Sequence, residues 1–181
     1  MNGKFATKLN KMKQFIECPE CGNVQLIEQY QQLYCENCLK VFFYDELNTL
    51  RAISIRQPWA LLIVNGYKDI ENRNNLKNFT GKFLIHASQK FDFGWCEIIS
   101  RNTPETGAAF KAMPAHLTEK DSFGKGYEYG GIIGYATITG FVTESYSPWF
   151  VGKYGLLIKD AHPLPFTPCK GKLSFFKPEI E

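Results

Sequence analysis

Four cysteines in two short pairs, Cys18-Pro-Glu-Cys21 and Cys35-Glu-Asn-Cys38, constrain this chain more than any other feature. Each C-x-x-C turn aims two sulfurs at one point. The intervening Val24 to Tyr34 stretch is long enough to run out and back, so that the second turn faces the first. Gly22 fits the tight turn after the first pair. Two disulfides or a redox dithiol are the alternatives. The paired spacing, the lack of a secretory signal, and only two further, unpaired-looking cysteines, Cys96 and Cys169, favour a tetrahedral Zn²⁺ held by four thiolates. With sulfur in all four positions no coordination site is left for water or substrate, so the ion is expected to be structural, one per chain.

The remaining composition is that of an ordinary globular protein: 181 residues, 44% hydrophobic and 22% charged, without an apolar run long enough to span a bilayer. Met1 to Gln14 lacks the apolar core of a secretory signal, which leads to the expectation of a cytoplasmic protein, or a nuclear one in a eukaryote. The formal charge is +3, and a zinc centre of four thiolates adds about −2, so net charge selects no partner. Its distribution is more informative. Residues 51–181 carry 16 Lys/Arg against 12 Asp/Glu, residues 1–50 carry 5 against 6, and Lys4, Lys8, Lys11 and Lys13 form a basic arm ahead of an acidic cysteine module. Such an arm can follow a phosphate backbone, or be a solvated tail.

Three regions are expected: a basic arm over 1–17, a zinc ribbon over 18–49 and a main domain over 50–181. In the ribbon, Val24 to Glu28, Leu33 to Cys35 and Val41 to Tyr44 read as a three-stranded unit too small to fold without its metal. In the main domain, Arg51 to Arg56 alternates as a half-buried strand. Pro58 opens a short apolar helix with Trp59, Leu62 and Ile63 inward, and Gly66 closes it. Strands are expected at Asp69 to Arg73, Lys82 to Ser88, Ile132 to Val142, Leu156 to Lys159, Leu164 to Thr167 and Lys172 to Phe176. A helix is expected over Phe91 to Ser100, and Arg101 to Gly130 reads as a long, partly mobile insertion. Strands outnumber helices, so the fold class is mainly β with α, a small barrel with helices at its ends.

Three segments carry a resemblance: Ile53-Ser-Ile-Arg-Gln-Pro-Trp-Ala60, Gly66-Tyr-Lys-Asp-Ile-Glu-Asn-Arg73 and Gly81-Lys-Phe-Leu-Ile-His-Ala-Ser88, with Ser147-Pro-Trp-Phe150 and Cys169-Lys-Gly-Lys172 later. They resemble the ASCH domain of the PUA-like superfamily, from about Arg51 to Phe176, with the cysteine module outside it. The resemblance implies a PUA-like β-barrel with a cleft beside the helix after the first strand, where relatives are thought to bind RNA or other nucleic acid. It makes Ser54, Gln57, Trp59, Lys68, Glu71, Arg73 and His86 candidate ligand-binding residues. Arg73, Lys68, Glu71 and Gln57 together can read a base edge and a phosphate, and Trp59 can offer a stacking face.

Each has a plainer alternative: core packing for Trp59, a surface ion pair for Glu71 and Arg73, a hydrogen-bonded structural role for His86. One branch of the family resembles a small amidohydrolase acting on N4-acylated cytidine through Lys, Thr and Glu. Lys68 matches its lysine, but Glu71 stands where that branch has threonine, so the hydroxyl nucleophile is missing. Lys68 and Glu71 are therefore catalytic candidates only if the protein is an enzyme. The expected ligand is RNA or a modified nucleoside, with DNA as an alternative. The zinc ribbon is a candidate contact for a protein partner, and no membrane association is expected.

Overall fold

The computed structural model describes residues 13–28, 33–42, 48–75, 79–95, 97, 103–112 and 126–180. The chain divides into two compact units, Met1–Leu50 with Glu179–Glu181, and Arg51–Pro178.

In the first unit, β1 (Lys13–Glu17) lies between β2 (Val24–Glu28) and β5 (Asn48–Thr49) in an antiparallel three-stranded sheet, while β3 (Leu33–Tyr34) and β4 (Val41–Phe42) form a separate hairpin. This differs from the expected ribbon in two ways. The last residues of the lysine arm are not a tail, because Phe15 and Ile16 among them are buried and Ile16 packs on Ile27. The polar stretch ahead of Leu50 also contributes a strand, β5. Lys4, Lys8, Lys11 and the end of the expected Val41 to Tyr44 strand lie outside the described residues.

The second unit is a curled six-stranded sheet in the order β11-β6-β8-β9-β10-β7. Its strands are β6 (Ala52–Gln57), β7 (Ile70–Arg73), β8 (Gly81–Phe91), β9 (Gly131–Val142), β10 (Tyr154–Pro168) and β11 (Phe175–Phe176). Among the described residues only β6 and β8 pair in parallel. Central β8 is buried on both faces: Phe83, Ile85 and Ala87 point into the main core, Leu84 and His86 the other way. The two expected strands after Leu156 are one long strand, broken by three register shifts against β9. Such irregularities bend a strand and increase its twist, which curls the sheet. Pro163, Pro165 and Pro168 are tolerated because β10 pairs with β7 only through Tyr154 to Leu157, leaving its later half an edge on that side.

Helix α1 (Trp59–Val64) follows β6 and buries Trp59, Leu62 and Ile63 in the core, as its spacing predicts. Gly66, at φ 77°, turns the chain back so that the Tyr67 and Lys68 N–H groups both donate to the Leu62 carbonyl. That reversal sends Lys68 inward.

The expected helix over Phe91 to Ser100 is displaced at its start, because β8 runs through Phe91 and the Asp92 N–H donates to Gln57 O at 2.7 Å. Cys96 and residues 98–102 lie outside the described residues. The expected insertion begins with α2 (Pro104–Ala112), for which Thr103 serves as cap: its Oγ1 accepts from the Thr106 N–H at 3.2 Å, and Pro104 occupies the first helical position. Residues 113–125 lie outside the described residues.

Candidate functional site

The cysteine cluster is built by two turns of the same design. In the first, Gly22 N–H donates to Cys18 O at 2.9 Å and Cys18 N–H to Asn23 O at 2.8 Å. In the second, Leu39 N–H donates to Cys35 O and Cys35 N–H to Lys40 O, both at 2.8 Å. Gly22 and Leu39 hold the same left-handed position, at φ 70° and 59°. The four sulfurs lie within 4.8 Å of one another, with Cys18 to Cys38 at 3.7 Å and Cys21 to Cys35 at 3.6 Å. Four thiolates around one Zn²⁺ at about 2.3 Å would be about 3.8 Å apart along each tetrahedral edge. These separations fit a shared cation and are far beyond a disulfide bond of about 2.0 Å.

Amide N–H groups support the cluster: Asn37 Nδ2 lies 3.5 Å from Cys21 Sγ and Asn23 Nδ2 3.9 Å from Cys35 Sγ. The Asn37 bond leads the causes that bring the Cys21 thiol down to about 6. At Cys38 the Lys40 N–H favours the thiolate, but desolvation and the three other sulfurs outweigh it and push the thiol up to about 12. Crowded thiolates repel, and a cation among them removes that penalty.

In the second unit, β7 and β6 lie towards opposite ends of the sheet order and are not neighbours in it. Side chains bridge them. Lys68, 3% exposed, donates from Nζ to the Ile70 carbonyl and to Glu71 Oε2 at 3.4 Å, and its ammonium lies over the Trp59 ring, 5.7 Å from the centroid. Glu71 Oε1 accepts from Arg73 Nη2 at 3.2 Å, and the same nitrogen donates to the Ser54 carbonyl at 3.1 Å. Ser54 lies just beyond Ala52 and Ile53, the residues that β11 covers, so Arg73 closes the seam where backbone pairing stops. The Ser54 hydroxyl donates to Lys172 O at 3.1 Å and lies 3.2 Å from His86 Nδ1, while His86 Nε2 donates to Cys169 O at 3.1 Å.

Burial pulls the Lys68 ammonium below its ordinary range, and the Glu71 carboxylate opposes the shift. Burial likewise lowers His86, which favours the neutral imidazole, and the Cys169 carbonyl, which can only accept, places a proton on Nε2. Arg73 Nε is buried without an acceptor among the described residues. Breaking a buried ion pair by deleting one partner costs about 3–5 kcal/mol because the other charge is stranded, so this chain of groups is held as a unit.

The structure thus brings Ser54, Lys68, Glu71, Arg73 and His86 into one connected network. Gln57 and Trp59 are placed differently. Gln57 directs its amide to the backbone, accepting from Leu61 N–H and donating to Glu128 O, and borders a cavity of about 390 Å³ lined by Leu61, Val64, Tyr127, Ile133 and Leu164. Trp59 is buried, its Nε1 donates to Asp92 and Trp149 meets it edge-on at 6.3 Å, which is core packing. His86 is 1% exposed and lies so close beneath Gly171 that a Cβ there would fall 2.5 Å from its ring. Exposure at the seam belongs to Arg73, whose side chain is 27% accessible.

Sequence reasoning missed the polar clamp on β7. Ser147 Oγ donates to Asp69 Oδ1 at 3.2 Å, Asn72 Nδ2 to Trp149 O at 2.8 Å, and Val151 N–H to Asn72 Oδ1 at 3.0 Å. The only signal was that Asp69, Asn72 and Ser147 fall inside the family-like motifs, and nothing local pairs residues so far apart in sequence.

A family model described as "ASCH domain" matches residues 53–158, more than half of the chain, and the protein belongs to that family. The matched stretch contains Ser54, Lys68, Glu71, Arg73 and His86 and leaves the four-cysteine module outside. Among solved structures, a mutant of ZmASCH from Zymomonas mobilis aligns at 16% identity and a TM-score of 0.36, over 65% of this chain and 72% of that one. No curated protein matches the chain. Among the described residues, no helix is long and apolar enough to cross a membrane.

Proposed function

We propose that this protein binds RNA, as a single strand or at a modified nucleoside, along the β6–β7 seam around Lys68, and that a structural zinc ion organises its cysteine module. The observation that carries the binding reading is the Lys68–Glu71–Arg73–Ser54 network. A partly exposed guanidinium held rigidly by a buried carboxylate is preorganised to grip a phosphate or the acceptor edge of a base. Lys68 serves this site from within: too buried to touch a ligand, it positions Glu71. Ser54 and His86 fix the strand that supplies the other wall. DNA would be taken through the same contacts.

Zinc would be held by Cys18, Cys21, Cys35 and Cys38, one ion per chain, and it would supply the rigidity of the two turns without taking part in chemistry. Exposed Leu39, Val41 and Tyr34 near this centre offer a contact for a protein partner. Thiolate ligands and the unbridged Cys169 suit a reducing, cytoplasmic setting.

A second reading draws on the lowered proton affinity of Lys68. A buried lysine 3.4 Å from a carboxylate is the kind of pair that activates water or an amide, and N4-acylated cytidine or RNA would be the substrate. It ranks second because Glu71 replaces the threonine of that branch and the ammonium faces inward.

Titration of a fluorescent single-stranded RNA at two salt concentrations tests the main reading. Arg73→Ala, checked for folding by circular dichroism, should weaken binding about tenfold or more and lower the salt slope by about one. Unchanged affinity in folded variant protein moves the site elsewhere. Turnover of N4-acetylcytidine that Glu71→Gln abolishes would establish the second reading instead.

A further inference from the structure

We infer that the loop between β9 and β10 is a base-stacking platform, with Tyr146 as its aromatic surface, for an unpaired nucleotide whose backbone is gripped at Arg73 and Lys153. This inference rests on the RNA-binding reading and names the part of the ligand that the seam alone does not explain.

Tyr146 is fully exposed, at 108% of its reference area. A tyrosine normally buries most of its ring, so complete exposure of this one leaves a large apolar face in water. A floppy tip would explain that at no energetic cost, but this loop is pinned. Ser147, the next residue, bonds Asp69 through its hydroxyl, its N–H donates to Ser145 Oγ at 3.1 Å, and Trp149 N–H donates to Ser147 Oγ at 3.4 Å. Asn72 grips the far side of the loop twice, and Trp149 is buried in the core. The tyrosine is therefore held out by a braced scaffold, the arrangement that presents a rigid aromatic at little entropic cost on binding.

Its position is beside the seam. Ser147 contacts Asp69, which separates Lys68 from Ile70, and Tyr67, 36% exposed, lies two residues before Asp69. At the other end of β7, Tyr154 registers with Arg73, and Lys153 precedes it with its ammonium over the Tyr154 ring at 5.2 Å. From Ile70 to Arg73 the strand advances about 10 Å. The exposed Tyr146 loop thus stands at one end of β7, and Arg73 and Lys153, the latter over the Tyr154 ring, stand at the other, a separation comparable with that of a base from the phosphate of a neighbouring nucleotide. Duplex RNA keeps its bases stacked inside and cannot use the aromatic end, so the platform selects single strands.

The test compares a fluorescein-labelled single-stranded oligoadenylate with a duplex of the same length, on wild-type protein and on Tyr146→Ala, Tyr146→Phe and Lys153→Ala. Tyr146 packs against nothing described, so Tyr146→Ala should leave the melting temperature unchanged, weaken single-strand binding about 5- to 150-fold and preserve its salt slope. Tyr146→Phe should retain affinity, since the ring remains. Lys153→Ala should reduce the salt slope. Wild-type binding that Tyr146→Ala leaves intact overturns the platform while the RNA-binding reading stands. Wild-type protein that binds neither probe overturns both. Equal affinity for duplex and single strand also overturns the platform.

Discussion

The cysteine module and the curled sheet solve the problem of a small fold in opposite ways. Among the described residues of the module the buried apolar side chains are few, Phe15, Ile16, Val24, Ile27 and Leu50 beside the cysteines, and Leu26, Tyr34, Leu39 and Val41 are exposed. In the sheet unit a continuous core runs from Ile53 through Phe83 and Ile85 to Ile158, with Trp59, Trp95 and Trp149 inside it. A unit of some fifty residues with so small a core would be held by the proposed zinc cross-link, whereas burial holds the larger one. Polar groups follow the same division. The module gathers its polar chemistry at the four sulfurs, while the sheet unit can bury Lys68, Glu71 and His86 because a large core surrounds them.

The contrast breaks most visibly on removing the metal. Purified protein is expected to carry one zinc per chain, and Cys35→Ser or a strong chelator should unfold residues 13–50 while the sheet unit keeps its cooperative transition. Structural zinc contributes on the order of 10 kcal/mol to such a module. Elemental analysis with backbone amide NMR reads both halves, and reduced protein lacking stoichiometric metal would refute it. The mirror experiment is Phe83→Ala, at a fully buried position of β8. It should cost the sheet unit about 3–5 kcal/mol in urea unfolding without altering zinc content.

A smaller effect comes from pH. Burial holds the folded His86 pKa below its ordinary 6.5, so beneath that value the unfolded chain binds more protons than the folded one. Stability of the sheet unit should therefore fall as pH drops from 6.5 towards the lowered pKa, and His86→Gln should flatten that part of the curve. Urea midpoints at pH 5 and pH 7 in both proteins decide it, and an identical pH dependence would count against the burial argument. The smallest effect sharpens the likeness of the two cysteine turns. Leu39 occupies a left-handed position that Gly22 fills in the other turn, so Leu39→Gly should slow loss of zinc to a chelator by a factor matching about 0.5–1 kcal/mol. Faster loss would show that the leucine side chain contributes packing the turn needs.

The reading of the sequence was most secure where physics is local. Alternation in Arg51 to Arg56, found as the strand Ala52–Gln57, the proline-opened helix with its inward Trp59, Leu62 and Ile63, and the glycine that ends it are settled by neighbours in sequence, and all are found in the structure. The convergence of the four cysteines was equally legible, because each pair is fixed by its own turn. Elsewhere local signals misled. Lysines at the N-terminus masked the Phe15 and Ile16 strand, since charge is conspicuous and two apolar residues are not. Apolar spacing after Phe91 signalled a helix, and Trp95 and Glu97 are helical, but pairing with Gln57 carried the strand through Phe91 and set the helix back from its expected start.

By itself the sequence determined the family, the mainly β class, the cysteine cluster and a set of polar residues able to meet. Only the tertiary structure decided how they meet. The curl of the sheet brings β7 back to β6, and the segment around Gly171 covers His86. Lys68 is turned inward at Gly66 and becomes a support for Glu71, leaving Arg73 and the braced tyrosine loop to face solvent. Side-chain exposure depends on contacts between residues far apart in the chain, and no local pattern encodes which of two polar faces the fold will cover.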